Sequence, residues 1–364
     1  MSNSPAGSGR PIGAANIMAR EAQIPWDALE QIVHLDPAGR GLASFRRDDL
    51  APLDAGQLRA ASLRLALDAR SVAIVTGFCV VTPEGVTAET DGPPGALFLA
   101  RALAALGIDV CLITDRYARP LLQCGIDLWR LEQVSLVEMP MCDDPAEAER
   151  WTDAFLASPR GTGLSHLIAI ERPSPSHTTE SLAAQQDPSL PGDRFEAAVP
   201  EEHRGVCHNM LGELIQSFTA DTHRLFDSIS AQQLPIATIG IGDGGNEIGM
   251  GRFAWQTLVD AVGSPVAGRI AARVATDNAV IAGVSDWGAY ALALSVACLR
   301  GANDLGRDWD ATGERALIES MVRDAGAVDG LTRRREPTVD GLPLDVYLQP
   351  LDAMRKLLGY SPVS

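Results

Sequence analysis

A short apolar run, then a polar turn, then a helical stretch: this unit recurs along the chain and constrains the fold more than any other feature. "SVAIVTGF" (Ser71–Phe78) is the first run, β-branched and closed by glycine and an aromatic. "DVCLITD" (Asp109–Asp115), "QVSLVEMP" (133–140), "SHLIAIERP" (Ser165–Pro173) and "LPIATIGIGDGG" (234–245) follow. The intervening stretches read as helices: one entered at Pro93–Pro94 and stopped at Gly107, a short one up to Cys124, one near Pro145–Ala157, and one over Leu211–Ser230. "RVATD" and "AVIAGV" are two further strand candidates, and Trp287–Arg300 reads as a helix. Strands that are apolar throughout are buried on both faces, and their alternation with helices predicts a mostly parallel sheet covered on both sides. The expected fold is therefore α/β, Rossmann-like and doubly wound. Trp26–Leu35 and Asp54–Ala69 read as earlier helices, the second with Asp54 as N-cap and Gln57 three residues on. Residues 1–25 read as a flexible tail and 26–358 as a single α/β domain. Within it, 172–207 is rich in Pro, Ser, Glu and Gln without a period, which predicts a long loop or lid.

Charge and composition remove several function classes. The net charge of −17 opposes nucleic-acid binding and attachment to anionic membranes. The longest apolar helix candidate, "AYALALSVACL" (Ala289–Leu299), falls short of the roughly 18 residues a membrane span needs. Lys356 is the only lysine, and it lies in a C-terminal helical stretch. A phosphate-binding loop that needs its lysine, and a lysine Schiff base, are thereby excluded. The six cysteines show no CxxC spacing and read as buried free thiols; Cys207 beside His208 is the one Cys–His neighbour pair. The histidines have no ligand spacing for zinc.

The stretch "IGIGDGGNEIGMG" (Ile239–Gly251) has six glycines in thirteen residues and formally matches GxGxxG. A dinucleotide loop normally opens the first strand–helix–strand unit and has an acid at the end of the next strand. This one follows the fifth strand and carries acids of its own. It reads better as a strand-end catalytic loop. Glycines bring backbone N–H groups close to a small ligand. Asp243 and Glu247 can act as general acid and base or as hard oxygen ligands for Mn²⁺ or Mg²⁺, with Asn246 as a donor or orienter. A tight turn whose Asp and Asn cap the next helix is the plainer alternative, and it explains one of the three polar residues better than all three.

"VTGF" (Val75–Phe78), "ETDGPPGA" (Glu89–Ala96), "ER" (Glu171–Arg172), "NMLGELI" (Asn209–Ile215), the glycine loop, "AGVSDWGAYAL" (Ala282–Leu292) and "TVDGLP" (Thr338–Pro343) occur in this order. In that order they resemble the D-glutamate cyclase-like family over about residues 40–358. Two stretches depart from the family pattern, "HRGVCHNM" and "GVSDWG", the latter with Asp286 where the family pattern has Asn. The resemblance implies a hydro-lyase that closes D-glutamate to 5-oxo-D-proline with loss of water. On that reading Asp243, Glu247 and Asn246 are catalytic. Thr90, Asp91, Gly92, Gly244, Gly245, His208, Asn209, Asp286 and Trp287 are substrate contacts, with N–H groups near Gly92 and Gly95 at a helix start for the α-carboxylate. Asp243, Glu247 and Asp277 are the metal candidates. Asp115, Glu171, Asp277 and Asn278 also end strand-like runs and read first as turn residues. No cofactor is demanded, and Mn²⁺ or Mg²⁺ is the ion these oxygens suit. The expected partner is a small acidic amino acid, with a homo-oligomer allowed. The expected location is the cytoplasm of a bacterium, or the mitochondrion if the chain is eukaryotic. The alternatives are a hydrolase or lactamase-like enzyme on a related cyclic amide and a non-catalytic metabolite-binding protein; an NAD-dependent oxidoreductase comes last.

Overall fold

The computed structural model describes residues 13–185, 192–306 and 308–360. Six strands form the main sheet: β1 (Ser71–Thr76), β2 (Asp109–Thr114), β3 (Val134–Glu138), β4 (His166–Ile170), β5 (Ala237–Gly242) and β6 (Asn278–Ile281). They lie in the order β3-β2-β1-β4-β5-β6, and each pairing is parallel. This is the doubly wound order, and its direction reverses between β1 and β4. The helices that matter to the site are α1 (Gln57–Asp68), α2 (Pro93–Ala105), α3 (Arg119–Trp129), α4 (Pro145–Ala157), α5 (His223–Ala231), α6 (Ser285–Leu299) and α7 (Ala311–Asp324).

The period of two is legible in the packing. Val72 and Ile74 of β1 and Ile168 and Ile170 of β4 join one core with residues of α1, α2, α3 and α6. Ala73, Val75, Leu167 and Ala169, which alternate with them, join a second core with Leu156 of α4 and Leu225, Phe226 and Ile229 of α5. Both faces of the sheet are thus covered, which is why the strands are apolar runs rather than alternating ones.

Several expectations are corrected. Ala14–Glu21, expected within a flexible tail, is a helix with Ile17 buried; Arg20 donates to the Leu299 carbonyl at 3.4 Å. Residues 1–12 lie outside the described residues. Asp54 does not cap α1, whose N-cap is Gly56 at φ +76°. Its carboxylate instead accepts the Ile281 N–H at 2.8 Å and pairs with His34 at 3.0 Å. The helix expected over Leu211–Ser230 is shortened to α5. Asn209 Oδ1 accepts the N–H groups of Leu211 and Glu213, each at 3.0 Å, and diverts that backbone into a turn. "RVATD" forms no strand, though Ala275 makes isolated bridges to Gly249 and Met250. The expected lid over 172–207 opens as a buried extended segment, with Pro173, Pro175 and Ser176 bridged to Glu247, Cys207 and Ala272. It continues in short helices at Thr179–Ala184 and Gly192–Ala198.

Candidate active site

Polar residues gather at the carboxyl ends of the strands, on both sides of the reversal between β1 and β4. β1 leads through a small hairpin (Cys79–Thr82 with Gly85–Ala88) to Glu89 and Asp91. β4 ends at Glu171, whose φ of +42° is a left-handed conformation rare for a non-glycine residue. β5 runs into Asp243–Glu247, and the C-terminal segment contributes Asp340. All six acids are buried, at 7% exposure or less. Arg40, from the segment before α1, forms ion pairs with both Asp243 and Asp340.

Burying this much like charge is costly unless protons or cations compensate. Glu89, Asp91, Glu171 and Asp243 are held well above the usual carboxyl range, first by burial and then largely by neighbouring carboxylates. Glu247 and Asp340 are raised in the same direction and for the same first reason. For Asp243 the guanidinium of Arg40 opposes the shift. Burial works against the charge on Arg40, yet Asp243 and Asp340 hold it well above its ordinary value.

The glycine loop folds back onto its own strand. A Cβ on Gly249, which sits at φ +110°, would lie 2.6 Å from Gly240 Cα. A Cβ on Gly242 would lie 2.6 Å from Glu247 Oε2. This return makes Asp243 and Glu247 unlike. Glu247 Oε1 and Oε2 accept the N–H groups of Gly244 and Gly245 at 2.7 and 2.9 Å, so these donors hold the loop's own carboxylate. Asn246 Nδ2 donates to the His208 carbonyl at 2.9 Å, and its Oδ1 has no partner. Asp243 meets Arg40 as an ion pair and Asp340 through a side-chain hydrogen bond; among the described residues no backbone N–H donates to its oxygens.

Helices α2 and α6 begin side by side and cap each other. Asp286 Oδ1 accepts the N–H groups of Gly92 and Gly95 at 2.9 and 2.7 Å. Asp91 accepts those of Ser285 and Asp286 at 3.1 and 3.0 Å. The backbone donors expected to hold a substrate carboxylate near Gly92 therefore already have a protein partner. Thr90 Oγ1 donates to the Thr338 carbonyl at 2.7 Å, and Trp287 Nε1 to the Tyr347 carbonyl at 3.0 Å; both side chains tie the fold together. His208 is buried and shares a 2.9 Å contact between Nε2 and His203 Nδ1; burial lowers its pKa to about 4. Asp277 is not with the cluster. It precedes β6 at the opposite end of the sheet, accepts the Thr238 N–H at 2.9 Å and pairs with Arg64 at 3.3 Å. Asn278, likewise at the start of β6, donates to Gln57 at 3.1 Å. Asp115 pairs with the buried Arg172 at 2.6 Å.

A cavity of about 190 Å³ opens beside the cluster. Arg40, Glu89 and Glu171 line its buried end; Asn209, Met210, Leu211, Leu331 and Arg333 line its outer part. Arg40, Glu89 and Asp340 escaped the sequence reading as site residues. Glu89 and Asp340 lie within the strings "ETDGPPGA" and "TVDGLP", which is a usable signal; Arg40, in "PAGRGLA", carries none. Oxygens of Asp91, Asp243 and Asp340 lie within 4.8 Å of one another, as do those of Glu171, Asp243 and Glu247. All-oxygen donor sets that include carboxylate oxygens without backbone donors suit a hard divalent cation.

Comparison with known proteins shows the family. The sequence profile described as "D-glutamate cyclase-like, C-terminal" matches residues 29–187 and 196–355. Human mitochondrial D-glutamate cyclase is 32% identical over 272 residues, which covers 74% of this chain and 38% of that protein. The chain thus corresponds to well under half of that relative's length. Among the described residues no helix is long and apolar enough to cross a membrane.

Proposed function

Since the chain belongs to the D-glutamate cyclase-like family, we propose that it closes D-glutamate to 5-oxo-D-proline with loss of water. The observation that carries this reading is the buried set of carboxyl groups in unlike environments around one guanidinium. Ring closure needs the amine deprotonated, the γ-carboxylate neutralised and an oxygen expelled. The two protons that leave the ammonium nitrogen are those that depart with the oxygen as water. The site must therefore move protons without consuming any, and carboxyls whose environments differ can divide that work. Glu171 lines the cavity, is pushed well above the usual carboxyl range by burial and neighbouring carboxylates, and receives a 2.5 Å hydrogen bond from Ser285 Oγ. We assign it the acid role, protonating the departing oxygen. Asp243, an oxygen of which lies within 4.8 Å of one of Glu171, is also pushed upward by burial, but unlike Glu171 it has Arg40 in an ion pair to oppose that shift; on that difference it is assigned the base role. Glu247 and Asn246 hold the loop in place. A divalent cation such as Mn²⁺ or Mg²⁺ held by Asp91, Asp243 and Asp340 would supply positive charge to offset the γ-carboxylate.

The test is to incubate the chain with D-glutamate, L-glutamate and 5-oxoproline, with and without Mn²⁺ or EDTA, and to follow each species by chiral chromatography. We expect turnover of D-glutamate that Asp243→Asn and Glu171→Gln each reduce by about 10²-fold or more. No turnover in any mixture would overturn the assignment. Turnover retained by Asp243→Asn would overturn the role of that residue.

A further inference from the structure

The cavity carries a second cation that the cluster does not use. Arg333 lines its outer part, and among the described residues its guanidinium makes a single hydrogen bond, from Nη2 to Glu213 Oε2 at 2.6 Å. The segment that presents Arg333 is built to hold one shape. Asp329, fully buried, accepts the N–H groups of Leu331, Thr332 and Gly341 at 3.0, 2.7 and 2.7 Å and the Thr338 hydroxyl at 2.7 Å. Arg333 itself sits at φ +58°, in the left-handed region, with its N–H bonded to the Asp329 carbonyl at 2.8 Å. A Cβ on Gly330 would fall 1.7 Å from Glu89 Oε2, so this segment packs directly on the acid cluster. A strained backbone, locked by a buried carboxylate and ending in an arginine with free donors, is a arrangement for presenting a cation.

A substrate with two carboxylates and an ammonium enters a cavity whose buried end already holds Glu89 and Glu171. Of the cavity's arginines, Arg40 is committed to Asp243 and Asp340. We propose that Arg333 binds the α-carboxylate of the amino-acid substrate, so that the γ-carboxyl end is the one that reaches Glu171. This rests on the cyclisation reading above and deepens it by assigning the group that orients the substrate. A planar guanidinium matches a carboxylate through two parallel N–H donors. Glu213 holds that place in this structure, and Asn209 Nδ2 donates to the same Glu213 oxygen at 2.6 Å. Glu213 is therefore a competing anion that substrate displaces.

The test compares D-glutamate with 4-aminobutyrate, which closes to 2-pyrrolidinone by the same chemistry but has no α-carboxylate. Arg333→Gln is expected to raise KM for D-glutamate about tenfold or more while kcat stays within about threefold, the loss expected for one charged hydrogen-bonded pair. Its kcat/KM for 4-aminobutyrate is expected to match that of the unchanged chain. Glu213→Gln, which frees the guanidinium, is expected to lower KM for D-glutamate. A Glu213→Gln variant that raises KM as much as Arg333→Gln would show that the two residues merely latch the mouth, and would overturn the proposal. A second arm needs no turnover: 5-oxo-D-proline and 2-pyrrolidinone are titrated calorimetrically into both chains. Binding of 5-oxo-D-proline that weakens about tenfold in Arg333→Gln sustains the proposal even if no cyclisation is seen. Equal binding by the two chains, or no binding by the unchanged chain, overturns it even if cyclisation is seen.

Discussion

Replacing Glu314 by glutamine isolates the pH dependence that a single buried acid imposes on this fold. Glu314 lies on α7 at 1% exposure, at one end of a hydrogen-bonded chain. Tyr290 donates to its Oε2 at 2.9 Å, the hydroxyls of Tyr290 and Tyr347 are 2.7 Å apart, and Tyr347 donates to Asp286 Oδ2 at 2.7 Å. Burial raises Glu314 from 4.5 to about 8, against the opposing Tyr290 hydrogen bond and the Arg101 charge. Between those two pH values the folded chain keeps a proton that the unfolded chain has released. The stabilisation is fully present below about pH 4.5 and is lost as pH rises through about 8. At 1.36 kcal/mol for each pH unit between the two, the loss approaches about 5 kcal/mol if Glu314 titrates alone. Its hydrogen-bonded neighbours share the change, so about 3–5 kcal/mol is expected. Glutamine keeps the shape and does not titrate. Urea unfolding of both chains from about pH 5 to pH 9 gives the difference directly, since the other acids cancel in it. The stability of the glutamine variant relative to the unchanged chain should rise by that amount across the range. Two curves that stay parallel within about 0.5 kcal/mol would refute the reasoning, because Glu314 would then ionise at the same pH folded and unfolded.

Two further outcomes follow from packing. Arg172 is 1% exposed and bonds Asp115 Oδ2, the Gly77 and Ala220 carbonyls and Thr222 Oγ1 at 2.6, 2.7, 2.7 and 2.9 Å. Arg172→Met leaves the Asp115 carboxylate buried and unpaired and should cost about 3–5 kcal/mol in urea unfolding, with the double variant Arg172→Met/Asp115→Leu recovering part of it. Gly249→Ala places its methyl against the Gly240 backbone at a positive φ. It should lower stability by about 2–4 kcal/mol, read as a shift of the urea midpoint at unchanged slope.

The frame was legible because its signals are local and repeated. Apolar β-branched runs bounded by Gly, Asp and Pro can be read residue by residue, and a parallel sheet follows from their alternation with helices. What could not be read is which polar side chains the fold consumes for itself. Asp91 and Asp286 lie 195 residues apart, yet each caps the other's helix, and no local pattern distinguishes such a cap from a ligand. The same limit governs the glycine loop, where Asp243 and Glu247 are chemically alike and four residues apart. The chain's return at Gly249 folds the Glu247 carboxylate onto the N–H groups of Gly244 and Gly245, which stabilise its ionised form in place. Among the described residues Asp243 receives no such backbone donors, and it meets Arg40, 203 positions upstream with no motif of its own. A carboxylate whose oxygens are held by its own loop's N–H groups must break those bonds to exchange a proton, whereas Asp243 is held by side chains that can move, Arg40 and Asp340. That asymmetry moves the proposed chemistry from the Asp243–Glu247 pair to Asp243 and Glu171. It also predicts that Glu247→Gln acts through loop order, lowering stability together with activity, while Asp243→Asn removes activity from a chain that still folds.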